Sequence, residues 1–376
     1  MVRFFCLLIS IGCISTLNAQ QVTLLFAGDA MQHQTQIDNA YRNGTYDYSS
    51  YFQHVTPAIS QADLAIVNLE VTLGGKPYKG YPLFSAPDEY AVALKEAGFD
   101  VFLNANNHIL DRFSKGLHRT LDVLDSLQIQ HTGVFRNAEE RAETYPLLVE
   151  KNGIRIAFLN YTYGTNGIQP KYPDVVNYMD TLQMRQDIQK AKCQKADVII
   201  ANMHWGIEYK LLQNKTQENT AKFLIQEGVD IVMGSHPHVV QPSVRTDSTL
   251  VVYSLGNFIS GMTAANTDGG QMIKVVLEKQ NGKTVLSSCG YILVYTEKKN
   301  VGANHYSPHS KIDYSVVPVL SAELDEINRR KMNQFAGNAR AVFNKYNQGV
   351  AEDSLSTVQA PNNDFPLKFF LLKFAK

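Results

Sequence analysis

The sequence predicts an α/β fold built on buried strands, and three observations predict it. Short apolar runs rich in Val, Ile and Leu recur at Val22 to Ala27, Leu64 to Val67, Val101 to Leu103, Val198 to Ile200 and Ile231 to Met233. Helix-like stretches alternate with them. The last four runs are entered through the same kind of joint: Ala62-Asp63, Gly98-Phe-Asp100, Ala196-Asp197 and Gly228-Val-Asp230. Apolar runs of this length, alternating with helices, mark strands covered on both faces.

The elements can be justified in order. Arg3 precedes the apolar run Phe4 to Ile14, and Ala19 supplies a small residue for cleavage. Residues 1–20 therefore read as a secretory signal peptide, because the run is too short to span a bilayer. A lipoprotein reading through Ser10-Ile-Gly-Cys13 is weaker, since Ser10 stands where Leu is expected. Export to the periplasm or cell surface follows. The main domain is placed at residues 21–300. Within it, Ser85 and Asp88 have capping-box spacing, Pro87 suits the first turn of a helix, and Gly98 can end that helix. Gln217 to Glu227 repeats the scheme with Gly228 as its stop. Gln271 to Glu278 and Val285 to Tyr295 read as strands joined across Asn281-Gly282.

Residues 301–376 form a C-terminal extension. Ser321 to about Tyr346 is a helix with Leu324, Ile327, Phe335, Val342 and Phe343 as its apolar face. The apolar tail Phe365 to Phe374 reads as a docked terminal element, with peripheral membrane contact as the alternative.

Bulk composition excludes one class of partner. Lys plus Arg and Asp plus Glu number 35 each in 376 residues, so no basic footprint for nucleic acid exists. Outside the leader only Cys193 and Cys289 remain, too few for a disulfide framework.

The residues at the strand ends carry the chemistry. Counting from the joint, Asp63 leads to Glu70 in seven residues, Asp100 to Asn107 and His108 in seven and eight, and Asp197 to His204 in seven. Asp230 leads to His236 and His238 in six and eight, and the first strand ends on Gly28-Asp29. Alone, each has an ordinary reading: a turn at Asn106-Asn107, a cap at Asp29, a solvated strand end at Glu70, aromatic packing of His204 on Trp205. Ligands in α/β sheets bind outside the carboxyl ends of strands, so these residues share one rim.

Asp29, Glu70, Asn107, His204, His236 and His238 are thus the candidate metal ligands. A mixed His, Asn and carboxylate set without thiolate suits a divalent Mn, Zn or Fe ion. Six ligands exceed what one catalytic zinc takes and suit two ions about 3.5–4 Å apart on a bridging carboxylate. His108 is the candidate general acid and Asp111 the residue that orients it. His33, His54, His118, His131, His305 and His309 are read as structural or solvated.

Six ordered stretches stand out: Phe26-Ala-Gly-Asp-Ala-Met31, Val67-Asn-Leu-Glu70, Ala105-Asn-Asn-His108 with Asp111 and Gly116, His204-Trp-Gly-Ile-Glu-Tyr209, Gly234-Ser-His-Pro-His-Val239 and Tyr253-Ser-Leu-Gly-Asn-Phe258. In this order they resemble the CapA family of poly-γ-glutamate capsule biosynthesis proteins, within the calcineurin-like metallophosphatase superfamily. The resemblance implies a four-layer αββα metallophosphatase-like fold, a β-sandwich flanked by helices. It also implies that Asn107 and His108 are the superfamily's metal-binding Asn and leaving-group His, with Glu70 in the place of its bridging Asp. One departure stands out. The superfamily usually opens with Asp-x-His, and Met31 occupies the position of that His, which removes a ligand from the first site.

Two functions are expected on these grounds. One is an exported, metal-dependent hydrolase acting on a phosphoester or a bond of a cell-envelope polymer, the resemblance implying an anionic capsule polymer such as poly-γ-glutamate and envelope biosynthesis proteins as partners. The other is a non-catalytic assembly or export factor whose metal site is vestigial or holds the polymer.

Overall fold

The structure, a computed structural model, describes residues 20–300, 312–319 and 324–353. Residues 1–19, which fall within the expected signal peptide, His305, His309 and the tail Phe365 to Phe374 lie outside the described residues.

Among the described residues two sheets dominate. The larger runs Ile312–Pro318, Lys283–Asn300, Gly269–Gln280, Gln21–Ala30, Leu64–Leu69, Val101–Leu103, Gln130–Thr132, with Asn257–Ile259 beside Gln21–Ala30 and Ala351–Glu352 beside Lys283–Asn300. The smaller runs Ser243–Arg245, Leu250–Val252, Ile231–Ser235, Val198–His204, Ile154–Thr162, Leu147–Lys151. The strands that carry the predicted site run parallel to one another within each sheet, and Gln21–Ala30 is also paired antiparallel with Gly269–Gln280.

Alternation along the strands decides the layers. From the large sheet, Leu24, Phe26, Ile66 and Leu103 pack against Ile156, Phe158, Ile200 and Met233 of the small one. The intervening residues turn outward. Leu25, Ala65, Val67 and Phe102 meet the helices Ser49–Phe52, Thr56–Ile59 and Asp88–Glu96, while Leu159, Ala201, Met203 and Val232 meet Thr181–Cys193 and Lys215–Gln226. A sandwich of two sheets between two helical layers results, the αββα arrangement expected.

The recurring aspartates have a structural task. Asp63 Oδ2 accepts the backbone N–H of Thr23, Asp100 that of Ala65, Asp197 that of Arg155 and Asp230 that of Ile199, each at 2.8 Å. Each joint also returns its own N–H to the carbonyl of the same residue. A donor at the start of the neighbouring strand is thereby satisfied before that strand enters the core. The joints hold the strand starts in register, and for that reason the ends reached seven residues later arrive at a common rim.

Gly28 is fixed by a close backbone approach rather than by a turn. A Cβ there would sit 1.9 Å from the Gly256 carbonyl oxygen, which accepts the Asp29 N–H at 3.0 Å. Neither backbone can give way. Gly28→Ala is therefore expected to destabilise the protein by about 3 kcal/mol, the upper end for overpacking, measured by denaturant unfolding; a change under ~0.5 kcal/mol would contradict the contact.

The hairpin expected at Asn281-Gly282 is present between Gly269–Gln280 and Lys283–Asn300, with φ of +52° and +78° at the two turn residues. Such angles suit a two-residue primed turn. Gly98 and Gly228 take φ of +109° and +96° where their helices stop.

Two local expectations need correction. Ser85 does not cap the Asp88–Glu96 helix: its hydroxyl donates to Gly75 O at 2.7 Å, and Pro87 stands at the cap. Asp88 is drawn instead to the Arg119 guanidinium, with contacts of 2.6 and 2.8 Å, because a bidentate charged pair outcompetes a cap. Ile327 is 61% exposed. The helix is Glu326–Tyr346, capped by Asp325, and it buries Met332, Phe335, Ala336, Ala339 and Phe343 against the core between the sheets.

Candidate metal centre

The site forms where strand ends of both sheets meet. Asp29 comes from Gln21–Ala30, Glu70 from the residue after Leu64–Leu69, and Asn107, His108 and Asp111 from the segment after Val101–Leu103. His204 ends Val198–His204, and His236 and His238 follow Ile231–Ser235. All are buried.

The His-Pro-His turn is held in an uncommon backbone conformation. His236 has φ of +97° and His238 of +58°. For residues with a Cβ such angles cost on the order of 1–3 kcal/mol each and persist only where surroundings dictate them. Here the His236 N–H donates to Asp29 Oδ2 at 3.2 Å, which ties the turn to the opposite sheet.

Glu70 is the centre of the geometry. It is fully buried, and neither carboxylate oxygen has a hydrogen-bond partner. Its Oε1 lies 3.5 Å from His204 Nε2 and 3.8 Å from His238 Nε2. Burial, and then the nearby Asp29 charge, push its pKa well above the usual carboxylate range. A buried, unpartnered acid is costly unless a cation satisfies it. His236 Nδ1 is likewise buried without a partner. Among the described residues, two groups have ligand atoms within 4.8 Å of one another, Glu70 with His236 and His238, and Asp29 with Glu70 and His204. They share Glu70. The donor chemistry and the unpartnered lone pairs both fit divalent metal, without deciding which ion.

The remaining groups are more fully engaged. Asp29 accepts from Asn68 Nδ2 at 2.8 Å through Oδ1, and His238 Nδ1 lies 3.2 Å from its Oδ2. Burial works to raise its pKa, but these partners outweigh it and hold the group below its ordinary value. His238 Nδ1 is also 3.0 Å from Asn257 Oδ1. With two acceptors before it, Nδ1 carries the hydrogen and Nε2 keeps a lone pair toward Glu70. His204 Nε2 is 2.7 Å from Asn107 Oδ1. Burial depresses the pKa of His204 well below normal and brings that of His236 to about 3, the neighbouring imidazoles adding to both. Both rings are therefore neutral at pH 7, the form that ligates metal.

His108 stands apart from the ligand groups. Its Nδ1 is 2.7 Å from Asp111 Oδ2, which also accepts the Phe84 N–H at 2.8 Å, and its ring packs edge-on against Phe84 at 4.6 Å. Asp111 thus fixes the ring with the hydrogen on Nδ1 and leaves Nε2 free. Met31 is buried in the apolar layer beneath the helices, its sulfur 4.0 Å from Ser260 Oγ.

Several residues near the centre were not singled out from sequence. Asn68 links Asp29 to His204 Nδ1, 3.3 Å away, and receives Asn106 Nδ2 at 3.3 Å. Asn257 supports His238, and Asn166 accepts from Asn107 Nδ2 at 3.2 Å. Tyr163 lies 4.5 Å from the His236 ring. Asn68, Asn106 and Asn257 had a signal, since all three sit inside the six resembling stretches. His33, expected to be structural or solvated, is half-buried close by: Gly261 N–H donates to its Nδ1 at 3.1 Å and its ring meets Phe84 at 5.3 Å. Burial, then the nearby His238 ring, lower its pKa to about 4. His118 pairs instead with buried Asp174 at 2.6 Å, and Trp205 packs on Tyr253 rather than on His204.

Residues 23–262 match the family described as bacterial capsule synthesis protein PGA_cap. The chain belongs to this family. It is 31% identical over 280 residues to the capsule biosynthesis protein CapA of Bacillus anthracis, covering 71% of this chain and 66% of that protein, just under two thirds of its length. It is 28% identical over 283 residues to the PGA biosynthesis protein CapA of Bacillus subtilis, covering 71% and 70%. Among solved structures, the NAD nucleotidase of Haemophilus influenzae superposes with a TM-score of 0.47 at 14% identity, covering 89% of this chain and 64% of the other. A calcineurin-like phosphoesterase of Bacillus subtilis gives 0.45 at 14%, covering 86% and 99%. The four layers rest on the contacts within this PGA_cap chain.

Proposed function

We propose that this PGA_cap protein is an exported, metal-dependent hydrolase of capsule or cell-envelope polymer biosynthesis, cleaving a phosphoester or polymer bond. The observation that carries the reading is Glu70: a buried carboxylate with both oxygens unpartnered, faced by His204 and His238 and shared by two ligand groups. Asp29, Glu70, Asn107, His204, His236 and His238 would hold one or two divalent ions. Such ions, when bound, polarise a phosphoryl or carbonyl oxygen and activate water at neutral pH.

The chain's own residues do the rest. His108 delivers a proton from Nε2 to the leaving oxygen, while Asp111 holds the ring and stabilises its protonated form. Residues 1–20 direct export, the site of action is the cell envelope, and the partners are a capsule polymer and envelope biosynthesis proteins, not nucleic acid. The tail Phe365 to Phe374 is the candidate for peripheral membrane contact. Among the described residues, no helix is long and apolar enough to cross a membrane.

A second reading is a non-catalytic assembly or export factor. Met31 favours it: with this thioether in the apolar layer and Asp29 already engaged by Asn68, His236 and His238, the first site is short of a ligand. Metal analysis of the purified mature protein, joined to a panel of aryl phosphates, separates the two. One to two equivalents of metal with chelator-sensitive turnover is the expected result. Stoichiometric metal without turnover on any member supports the factor, and absence of metal overturns both.

A further inference from the structure

The proposed chemistry leaves His33 unused. It lies just past Asp29, where the chain leaves the strand Gln21–Ala30. Three contacts fix it. Its backbone N–H donates to Gln36 Oε1 at 2.7 Å, its Nδ1 accepts the Gly261 N–H at 3.1 Å, and its ring meets the Phe84 ring edge-on at 5.3 Å. The approach of Gly261 is close: a Cβ there would lie 2.6 Å from His33 Cβ.

Both groups that hold the ring also reach the site. Phe84 packs edge-on against His108 at 4.6 Å, and its N–H binds Asp111. Gly261 follows the strand Asn257–Ile259, and Asn257 Oδ1 lies 3.0 Å from His238 Nδ1. His33 therefore belongs to the flank of the centre that carries His108 and His238. It is in neither ligand group, so it does not replace the imidazole missing at Met31.

The bond from Gly261 decides the tautomer. A neutral imidazole whose Nδ1 accepts carries its hydrogen on Nε2. Among the described residues that N–H has no hydrogen-bond partner, and it is not sealed from solvent. An open donor is thus held rigidly beside a centre that would collect an oxyanion. An amide carbonyl has a single oxygen to polarise. Charge on a transferring phosphoryl group is spread over several, so a donor beside the ions still finds one.

We propose that His33 Nε2–H donates to a phosphoryl oxygen of the substrate at the metal centre, which makes the substrate a phosphoester. The assignment rests on the metal centre proposed above and adds a substrate-binding residue to it.

Isothermal titration of the metal-loaded protein with inorganic phosphate tests it. His33→Phe keeps a ring beside Phe84 and removes the donor. His33→Gln keeps an N–H donor and an oxygen for the Gly261 N–H. Wild type should bind phosphate saturably, His33→Phe about tenfold more weakly, and His33→Gln within about threefold of wild type, the span expected for one hydrogen bond to a charged group. Metal content should be equal in all three. Equal affinity in wild type and His33→Phe, equal loss in both variants, or metal-loaded wild type that binds no phosphate overturns the assignment. Histidine-selective nitrogen NMR of wild type gives a readout that needs no variant to fold: an imidazole protonated on Nε2 should shift on adding phosphate, and no such shift also overturns it. Turnover is not read and metal is measured on the same sample. A hydrolase that makes no use of His33 is thereby told apart from a His33 donor on a centre that cleaves nothing, and protein without metal removes both.

Discussion

His108→Ala is expected to lower turnover of a phenyl phosphate at least a hundredfold with bound metal unchanged. The size follows from general acid catalysis, which contributes about 10²–10⁴-fold. The specificity follows from geometry. His108 Nδ1 is held by Asp111 Oδ2 at 2.7 Å, Asp111 is itself held by the Phe84 N–H, and neither is in the two ligand groups around Glu70. Removing the imidazole therefore removes a proton donor rather than a ligand. The loss should shrink steeply with a dinitrophenyl leaving group, which departs without a proton. An equal loss on both substrates, or metal lost with the ring, would show that His108 is not the acid. Asp111→Asn should fall between wild type and His108→Ala, since the ring stays but its orienting charge goes.

Glu70→Gln should abolish metal binding and with it the effect of chelation on stability. In the folded chain the Glu70 carboxyl holds its proton more tightly than in the unfolded chain, because burial and the Asp29 charge disfavour the anion. The metal-free protein therefore loses stability as pH rises from the ordinary glutamate range toward the raised folded value, and the loss persists above it. A bound cation removes that penalty. An ion present at a hundred times its Kd contributes about 2.7 kcal/mol, several degrees of Tm in a chain of this size. Wild type should thus melt several degrees lower after chelation, more so at pH 8 than at pH 5. Glu70→Gln should be indifferent to chelator and should melt above chelated wild type at pH 8. Metal analysis and thermal scans with and without chelator decide it. Full metal occupancy in Glu70→Gln would remove the central argument for the site.

The strand-end residues were legible because of the joints. An aspartate that must satisfy an N–H near the start of the neighbouring strand sets where its own strand starts, and a strand crossing the same core ends a similar number of residues later. Glu70, Asn107 and His204 each follow at seven residues. The supporting asparagines had no such mark. Asn68 reaches Asp29 across 39 residues and His204 across 136, and His236 reaches Asp29 across 207. Contacts of that span leave no period in the chain. The two local misreadings, Ser85 as a cap and Ile327 as a packed residue, failed for a related reason: Gly75 and Arg119 compete for the first region, and the turn of the helix decides the second.

By itself, the amino-acid order determined the alternation of buried strands and helices, the positions where strands stop, and the kinds of side chain waiting there. Burial and local backbone chemistry impose these, and both are written in neighbouring residues. Only the tertiary structure decided that two sheets supply the rim, that Glu70 is left with unpartnered oxygens while Asp29 is fully engaged, and that Met31 belongs to the apolar layer. Partnership and solvent exclusion are properties of surroundings drawn from the whole chain, and no window of sequence contains them.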